Sequence, residues 1–153
     1  MNALELKVPP PLLALCVGLL MWLASRGIAP LEASLPLRAI AGITLGIVGL
    51  SFVLAGFLSF RQAKTTINPI KPMATSALVT TGLYRYTRNP MYLGLLLMLL
   101  GWAAYLANPV AFLFLPLFML YINRFQITPE ERALSSMFGA AFAAYKARVR
   151  RWL

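Results

Sequence analysis

Four long apolar runs, separated by short polar joints, take up most of this 153-residue chain. They lie at about residues 8–24, 39–60, 91–107 and 110–127. A helix of about 20 apolar residues crosses the hydrocarbon core of a bilayer, so each run suits a membrane-spanning helix. The hydrophobic share of 60% is more than a soluble domain of this length can bury in one core. The sequence therefore predicts an all-α integral membrane protein with four transmembrane helices, in which residues 1–153 form one domain.

The first two runs are both interpreted as spans. The first follows a lysine, as a secretory signal does, but no small-residue cleavage site comes after it, and its three prolines suit the first turn of a spanning helix. In the second run Gly42, Gly46, Gly49 and Gly56 are spaced so that two helix backbones can approach closely. We expect these glycines to serve packing, within the chain or between copies.

The charges are few and mostly basic, with a formal net charge of +10. The loop at 61–90 has no acid and carries Arg61, Lys64, Lys71, Arg85 and Arg88. By the positive-inside rule this loop is cytoplasmic, and four crossings place both termini on the same side. In a bacterial cell the membrane would be the inner one. Because the cations flank the apolar runs and form no separate basic module, membrane lipids are the expected partner and nucleic acid is not.

The end of the chain predicts a different kind of helix. Asn108 and Pro109 form a tight joint between the third and fourth runs. At 129–151 apolar side chains recur at steps of three or four residues, which is typical of an amphipathic helix. We expect this cytoplasmic helix to lie on the membrane surface or to cap the helix bundle. Its apolar positions are Leu134, Phe138, Phe142, Tyr145, Val149 and Trp152.

The residue types that are missing narrow the chemistry. The chain has no histidine, and its one cysteine, Cys16, lies in the first run. A metal site and an internal disulfide are therefore not expected, and any reaction must proceed without imidazole. The spans hold almost no ionisable side chains, which argues against a transporter. Functional groups are concentrated in two cytoplasmic pieces, at 80–94 and 124–132.

The first piece leads into the third span. Asn89 could cap that helix, with Pro90 in its first turn, while Arg85 and Arg88 meet lipid phosphates. The same helix start exposes backbone N–H groups that attract a carboxylate, and tyrosines at 84, 86 and 92 could stack on a purine. The residues alone fit both interpretations.

The second piece follows the fourth span. Thr128 and Glu131 have the spacing of a capping box around Pro129, which indicates a helix start. That interpretation leaves Glu130 without a role. Since these two glutamates are half of the four acids in the chain, a cationic ligand group nearby is a reasonable hypothesis.

Together the two pieces resemble the integral membrane methyltransferases of the isoprenylcysteine carboxyl methyltransferase and phospholipid methyltransferase family. The first motif is matched by Gly82, Tyr84, Arg88, Asn89, Pro90, Tyr92 and Gly94. The second is matched by Glu130, Glu131, Phe138, Gly139 and Tyr145. The resemblance covers about residues 77–149. One departure is Asn89, where the isoprenylcysteine enzymes usually carry histidine and the phospholipid enzymes are more similar to this chain.

The resemblance implies a methyl transfer from S-adenosylmethionine to a membrane-resident acceptor, either a lipid or an isoprenylcysteine-like molecule. Arg124 lies near a substrate-contacting arginine of the family and is the candidate for substrate positioning, although Gln126 occupies the strictly aligned position. The motif gives no base, no metal ligand and no oligomeric state. The cofactor-binding residues that it implies are Leu78, Val79, Tyr84, Arg88, Asn89, Pro90, Met91, Tyr92, Glu130 and Glu131.

Two other functions are compatible with parts of the sequence. A membrane reductase using NADPH would have a similar arrangement of helices and loop, with Arg85 and Arg88 serving the cofactor phosphates. A small non-catalytic membrane protein would use the glycine-rich second run as its main interaction surface.

Overall fold

The computed structural model describes residues 5–63 and 76–153, and in these ranges the chain is helical. The helices are α1 (Pro10–Ser25), α2 (Leu35–Gln62), α3 (Pro90–Leu106), α4 (Pro109–Ile122) and α5 (Thr128–Arg148). A short 3₁₀ helix at Gly82–Arg85 precedes α3. The only extended pairing in the described ranges is an isolated bridge between Thr87 and Arg150.

Two helical stretches are long and apolar enough to cross a membrane. One is α2, with 28 residues, and the other is α4 with its continuation into α5. The helices α1 and α3 are also apolar but shorter, with 16 and 17 residues. All four occupy the predicted apolar runs, and the helix bounds differ from the predicted ones by a few residues.

Glycines set the distance between α2 and α3. A Cβ atom at Gly49 would lie 2.6 Å from the carbonyl oxygen of Gly94, and one at Gly42 would lie 3.1 Å from that of Gly101. Side chains at these positions would push the helices apart, so the glycines permit direct backbone contact. Gly46, in contrast, faces open space. The predicted packing role within the chain therefore applies to Gly42 and Gly49. A side chain at Gly46 would meet no neighbour, although the backbone nitrogen of Gly46 lies 3.2 Å from where a Cβ atom of Gly101 would stand.

The remaining helices bury an apolar core on the other side of α3. Met21 of α1, Ala103 of α3 and Phe118 of α4 are almost completely buried there. The joint between α3 and α4 is tight, as predicted: Ala107 has a positive φ of 49°, and the Asn108 side chain accepts a hydrogen bond from the Val110 amide. Asn108 also donates to the carbonyl of Ile28, which fixes the segment just after the C-terminal end of α1.

The C-terminal part departs from the prediction in two ways. α4 does not stop before α5 but passes into it through a π-helical turn at Asn123–Ile127. α5 ends at Arg148 rather than at residue 151, and Gly139 interrupts it with a φ of 46° and a ψ of −119°. Its apolar side chains face inward, where Phe142, Tyr145 and Val149 pack with Leu78.

Candidate functional site

The loop before α3 places Tyr84 at the inner edge of the site. Gly82 has a φ of 61°, a backbone conformation that glycine adopts without strain. The 3₁₀ turn that follows buries Tyr84 against α2, where its ring meets Phe60 edge to face with centroids 5.5 Å apart. The hydroxyl of Tyr145 donates a hydrogen bond of 2.8 Å to the Tyr84 carbonyl and ties this loop to α5.

Asn89 stands before the first turn of α3, but its side chain does not cap the helix. The side-chain Nδ2 group donates instead to the carbonyl of Arg151, at 2.9 Å. The backbone N–H of Asn89 donates to the Thr87 hydroxyl. The predicted side-chain cap is therefore wrong, because the C-terminal tail offers the side chain another partner. The first backbone hydrogen bond of the helix runs from the Leu93 N–H to the Asn89 carbonyl. The backbone N–H groups of Met91 and Tyr92 precede it and therefore take no part in the hydrogen bonds within the helix.

The predicted capping box at Thr128 and Glu131 is also wrong. A capping box needs a helix start, and the π-helical turn keeps the backbone helical through this segment. The Thr128 hydroxyl donates to the carbonyl of Asn123, five residues earlier, at 2.7 Å. Both glutamates therefore project from a helical segment that continues α4 without a break as far as Gly139.

Glu131 is held by two arginines. It accepts hydrogen bonds of 2.7 Å from Arg88 and 2.6 Å from Arg151. Burial raises the pKa of the Glu131 carboxyl, but the two arginines outweigh this effect and lower the pKa below its ordinary value. Arg88 also donates to the carbonyl of Val149 at 2.6 Å. The expectation that Arg88 meets lipid phosphates is therefore wrong, because its guanidinium is used inside the protein.

Glu130 has a different environment. It accepts a 2.5 Å hydrogen bond from the hydroxyl of Tyr92, and the described residues place no cation in an ion pair with it. Burial and the nearby charge of Glu131 raise the pKa of Glu130 to about 8, although the bond from Tyr92 acts in the opposite direction. A positively charged ligand group beside Glu130 would compensate the buried carboxylate.

Both pieces line one cavity of about 390 Å³, a size typical of small-molecule sites. Of the predicted cofactor-binding residues, only Pro90 lies outside the lining, and it is buried. Arg85 and Tyr86, which belong to the same piece of the chain, are exposed and also lie outside the lining. The other predicted residues line it: Leu78, Val79, Tyr84, Arg88, Asn89, Met91, Tyr92, Glu130 and Glu131. The lining also includes residues that the sequence did not indicate, among them Pro9, Pro10, Pro11, Val53, Phe60, Leu95 and Ile127.

Arg124, the predicted substrate-positioning residue, lies outside the cavity lining. It pairs at 3.3 Å with Glu5, which also pairs with Arg132 at 2.5 Å. The Glu5 side chain is only 2% exposed, whereas both arginines are about half exposed. Gln126 donates to the carbonyl of Val8 at 2.6 Å. These contacts attach the N-terminal segment to the π-helical turn. The one signal for Glu5 in the sequence is that the chain has only four acidic residues.

The helices and the cavity define a class of protein: a helical, membrane-type chain with a cavity beside its apolar helices. Comparison with known proteins is more specific, because the phospholipid methyltransferase family matches residues 37–141. The chain belongs to this family, and the family match identifies it as a methyltransferase.

Two relatives are each similar to part of this chain. An uncharacterized protein of Haemophilus influenzae is 52% identical over 63 residues, which are 41% of this chain and 100% of that protein. Protein-S-isoprenylcysteine O-methyltransferase of Schizosaccharomyces pombe is 38% identical over 72 residues. That match covers 47% of this chain and 30% of the yeast enzyme. No solved structure matches the chain. The family and the yeast relative support methyl transfer to a membrane-associated acceptor.

Proposed function

We propose that this protein transfers a methyl group from S-adenosylmethionine to a membrane-resident acceptor of the lipid or isoprenylcysteine type. The observation that carries the proposal is Glu130, a carboxylate without a cation in an ion pair among the described residues, in a cavity that adjoins the start of α3. S-adenosylmethionine carries positive charge, a carboxylate and a purine, and the cavity offers a counterpart to each.

The residues of the cavity fit this cofactor in three ways. Glu130 would compensate its positive charge, and the backbone amides of Met91 and Tyr92 would receive its carboxylate at the positive end of the α3 dipole. The rings of Tyr84, Phe142 and Tyr145 offer aromatic surface to the purine. When bound, the cofactor supplies a methyl group that its sulfonium already activates for displacement.

The protein's own contribution is alignment and exclusion of water. Alignment of two reactants can contribute roughly 7–11 kcal/mol to lowering a barrier, and it requires neither a metal nor histidine. The bond from Tyr92 holds the Glu130 oxygen in place and keeps the phenol proton between them. A carboxylate acceptor needs no base, and an amine acceptor needs only to be uncharged.

The proposal includes a topology in which α1, α2, α3 and α4 all cross the membrane. The site, both termini and the loop at 61–90 then lie on the cytoplasmic side, where the soluble cofactor arrives. The exposed cations Arg61, Arg85 and Arg148 agree with this orientation. Lys64 and Lys71, on which the sequence argument also relied, lie outside the described residues.

The structure favours a methyltransferase over an NADPH-dependent reductase. A reductase would need Arg85 and Arg88 to bind phosphates at the cavity. Arg88 is instead paired with Glu131 and the Val149 carbonyl, and Arg85 is exposed outside the cavity lining.

The neighbouring glutamates provide a matched test. We expect Glu130→Gln to weaken S-adenosylmethionine binding by roughly 10- to 100-fold, the effect of losing one charge-assisted contact, without lowering the melting temperature. Glu131→Gln should lower the melting temperature and leave S-adenosylmethionine binding unchanged. It disrupts the ion pairs with Arg88 and Arg151 but leaves the Glu130 carboxylate in the cavity intact. Calorimetry and thermal unfolding of protein in nanodiscs would measure both effects, with NADPH as the comparison ligand.

Transfer of a radiolabelled methyl group into extracted membrane lipids and prenyl-cysteine analogues would then test the reaction. Equal cofactor affinity in the wild type and Glu130→Gln would refute the role of this carboxylate. Binding of NADPH in place of S-adenosylmethionine would favour the reductase, and binding of neither would favour a non-catalytic protein.

A further inference from the structure

A second cavity lies between α1 and α3. It has a volume of about 630 Å³, and its lining is almost entirely apolar. We call it the α1–α3 groove. It is lined on one side by Pro11, Ala14, Leu15, Gly18, Leu19 and Trp22, and on the other by Leu95, Met98, Leu99 and Trp102.

The α1–α3 groove adjoins the candidate cofactor cavity. Pro11 and Leu95 line both spaces, and both residues lie near the ends of α1 and α3 that adjoin the site. An elongated molecule could therefore place one end in the cofactor cavity and the rest in the groove.

The length of the groove corresponds to part or all of one leaflet. From Pro11 to Trp22 the rise along α1 is roughly 16 Å, and from Leu95 to Trp102 the rise along α3 is roughly 10 Å. Half of the hydrocarbon core of a bilayer is about 15 Å. A chain anchored at the cofactor cavity would end close to the middle of the bilayer.

The indole of Trp102 crosses the groove at the level of Gly18. The Nε1 group of Trp102 donates a hydrogen bond of 3.0 Å to the carbonyl of Gly18, which joins α3 to α1 across the groove. The ring also stacks on Tyr105, with centroids 5.6 Å apart. A Cβ atom at Gly18 would meet Leu99 and Trp102 only at ordinary contact distances of 3.8 and 3.9 Å. The position therefore tolerates a side chain, but one larger than alanine would occupy the groove.

We propose that the α1–α3 groove holds the single apolar chain of the methyl acceptor, and that Gly18 and Trp102 determine which chain length is accepted. This inference rests on the proposed function. Lipid tails are as apolar as the groove, so the chain gains little by leaving them. The groove acts through geometry: a chain that fits keeps the reacting end at the cofactor cavity, and a chain that is too long displaces it.

Substitution of Gly18 tests the proposal. The acceptors are cysteine derivatives carrying one straight alkyl chain on sulfur, in a series from shorter to longer than one leaflet. In Gly18→Leu we expect kcat/KM for the long chains to fall by about a hundredfold, the effect of a reacting group misplaced by about 1 Å, while short chains react as in the wild type. Gly46→Leu is the control, because Gly46 faces open space on α2.

The outcomes separate the two proposals. An equal loss for all chain lengths in Gly18→Leu, or no change at all, would overturn the groove assignment. A probe with a photoreactive diazirine at the end of the alkyl chain gives a readout that does not need activity. Labelling concentrated at Leu99 and Trp102 supports the groove even if no acceptor is methylated, in which case the proposed function fails alone. Labelling spread over the outer face of α2 would overturn the groove assignment.

Discussion

Gly49→Ala should separate α2 from α3 and destabilise the protein. The new Cβ atom would lie 2.6 Å from the Gly94 carbonyl oxygen and 2.9 Å from the Met98 amide nitrogen, both backbone atoms that cannot rotate away. Ordinary contact begins at 3.4 Å, so the helices must separate locally by ~0.8 Å. Overpacking of this kind costs about 1–3 kcal/mol, which corresponds to a fall of about 2–12 °C in melting temperature for a chain of this size.

Gly46→Ala is the matched control, since it lies in the same helix and its Cβ atom meets nothing within 4 Å. Alanine favours a helix over glycine by about 0.8–1 kcal/mol, so this variant should be as stable as the wild type or more stable. Thermal unfolding in one detergent, followed by fluorescence of the three tryptophans, would compare the variants. If Gly49→Ala melted at the temperature of Gly46→Ala or above it, close backbone packing could not be what holds these helices together.

Three further predictions concern the site and its supports. Affinity for S-adenosylmethionine should rise as pH increases through about 8, because the cation needs ionised Glu130; calorimetry showing a flat pH profile would contradict this. Without ligand, the raised pKa of Glu130 should make stability fall between pH 4.5 and about 8 in thermal unfolding, since the folded state retains the proton; Glu130→Gln should remove that slope. Glu5→Gln should lower the free energy of unfolding by about 1.5–3 kcal/mol through weaker bonds to Arg124 and Arg132, whereas an unchanged melting temperature would show that the contact has no energetic role.

The sequence predicts well what depends on long or dense patterns. Apolar runs of about 20 residues locate the helices, because burying that much apolar surface leaves few alternatives in a chain of this length. The two motifs also line one cavity, as the family resemblance implied, because the start of α3 and the first turn of α5 face the same space. By length and composition, α2 and the α4–α5 stretch are candidate membrane spans, and α1 and α3 are shorter apolar helices.

Predictions based on short patterns were wrong where a distant partner competes. Asn89 has the residue type of a cap, but its side chain binds the carbonyl of Arg151, 62 residues along the chain. Thr128 differs, because its partner, the Asn123 carbonyl, is five residues away; there the capping box fails because the backbone is already helical. Arg88 was expected at the membrane surface, and Glu131 draws it inward. Glu5 is about 120 residues from Arg124 along the chain, and no local pattern connects them.

The π-helical turn at Asn123–Ile127 sets the direction, around the helix axis, in which Glu130 and Glu131 point. An α-helix advances about 100° per residue, so removing a single residue from this turn would rotate everything after it by that amount about the helix axis. Glu130 would then swing away from Tyr92, even though every side chain of the motif was still present. In this protein, the number of residues between α4 and the glutamates is therefore as much a part of the motif as the glutamates themselves.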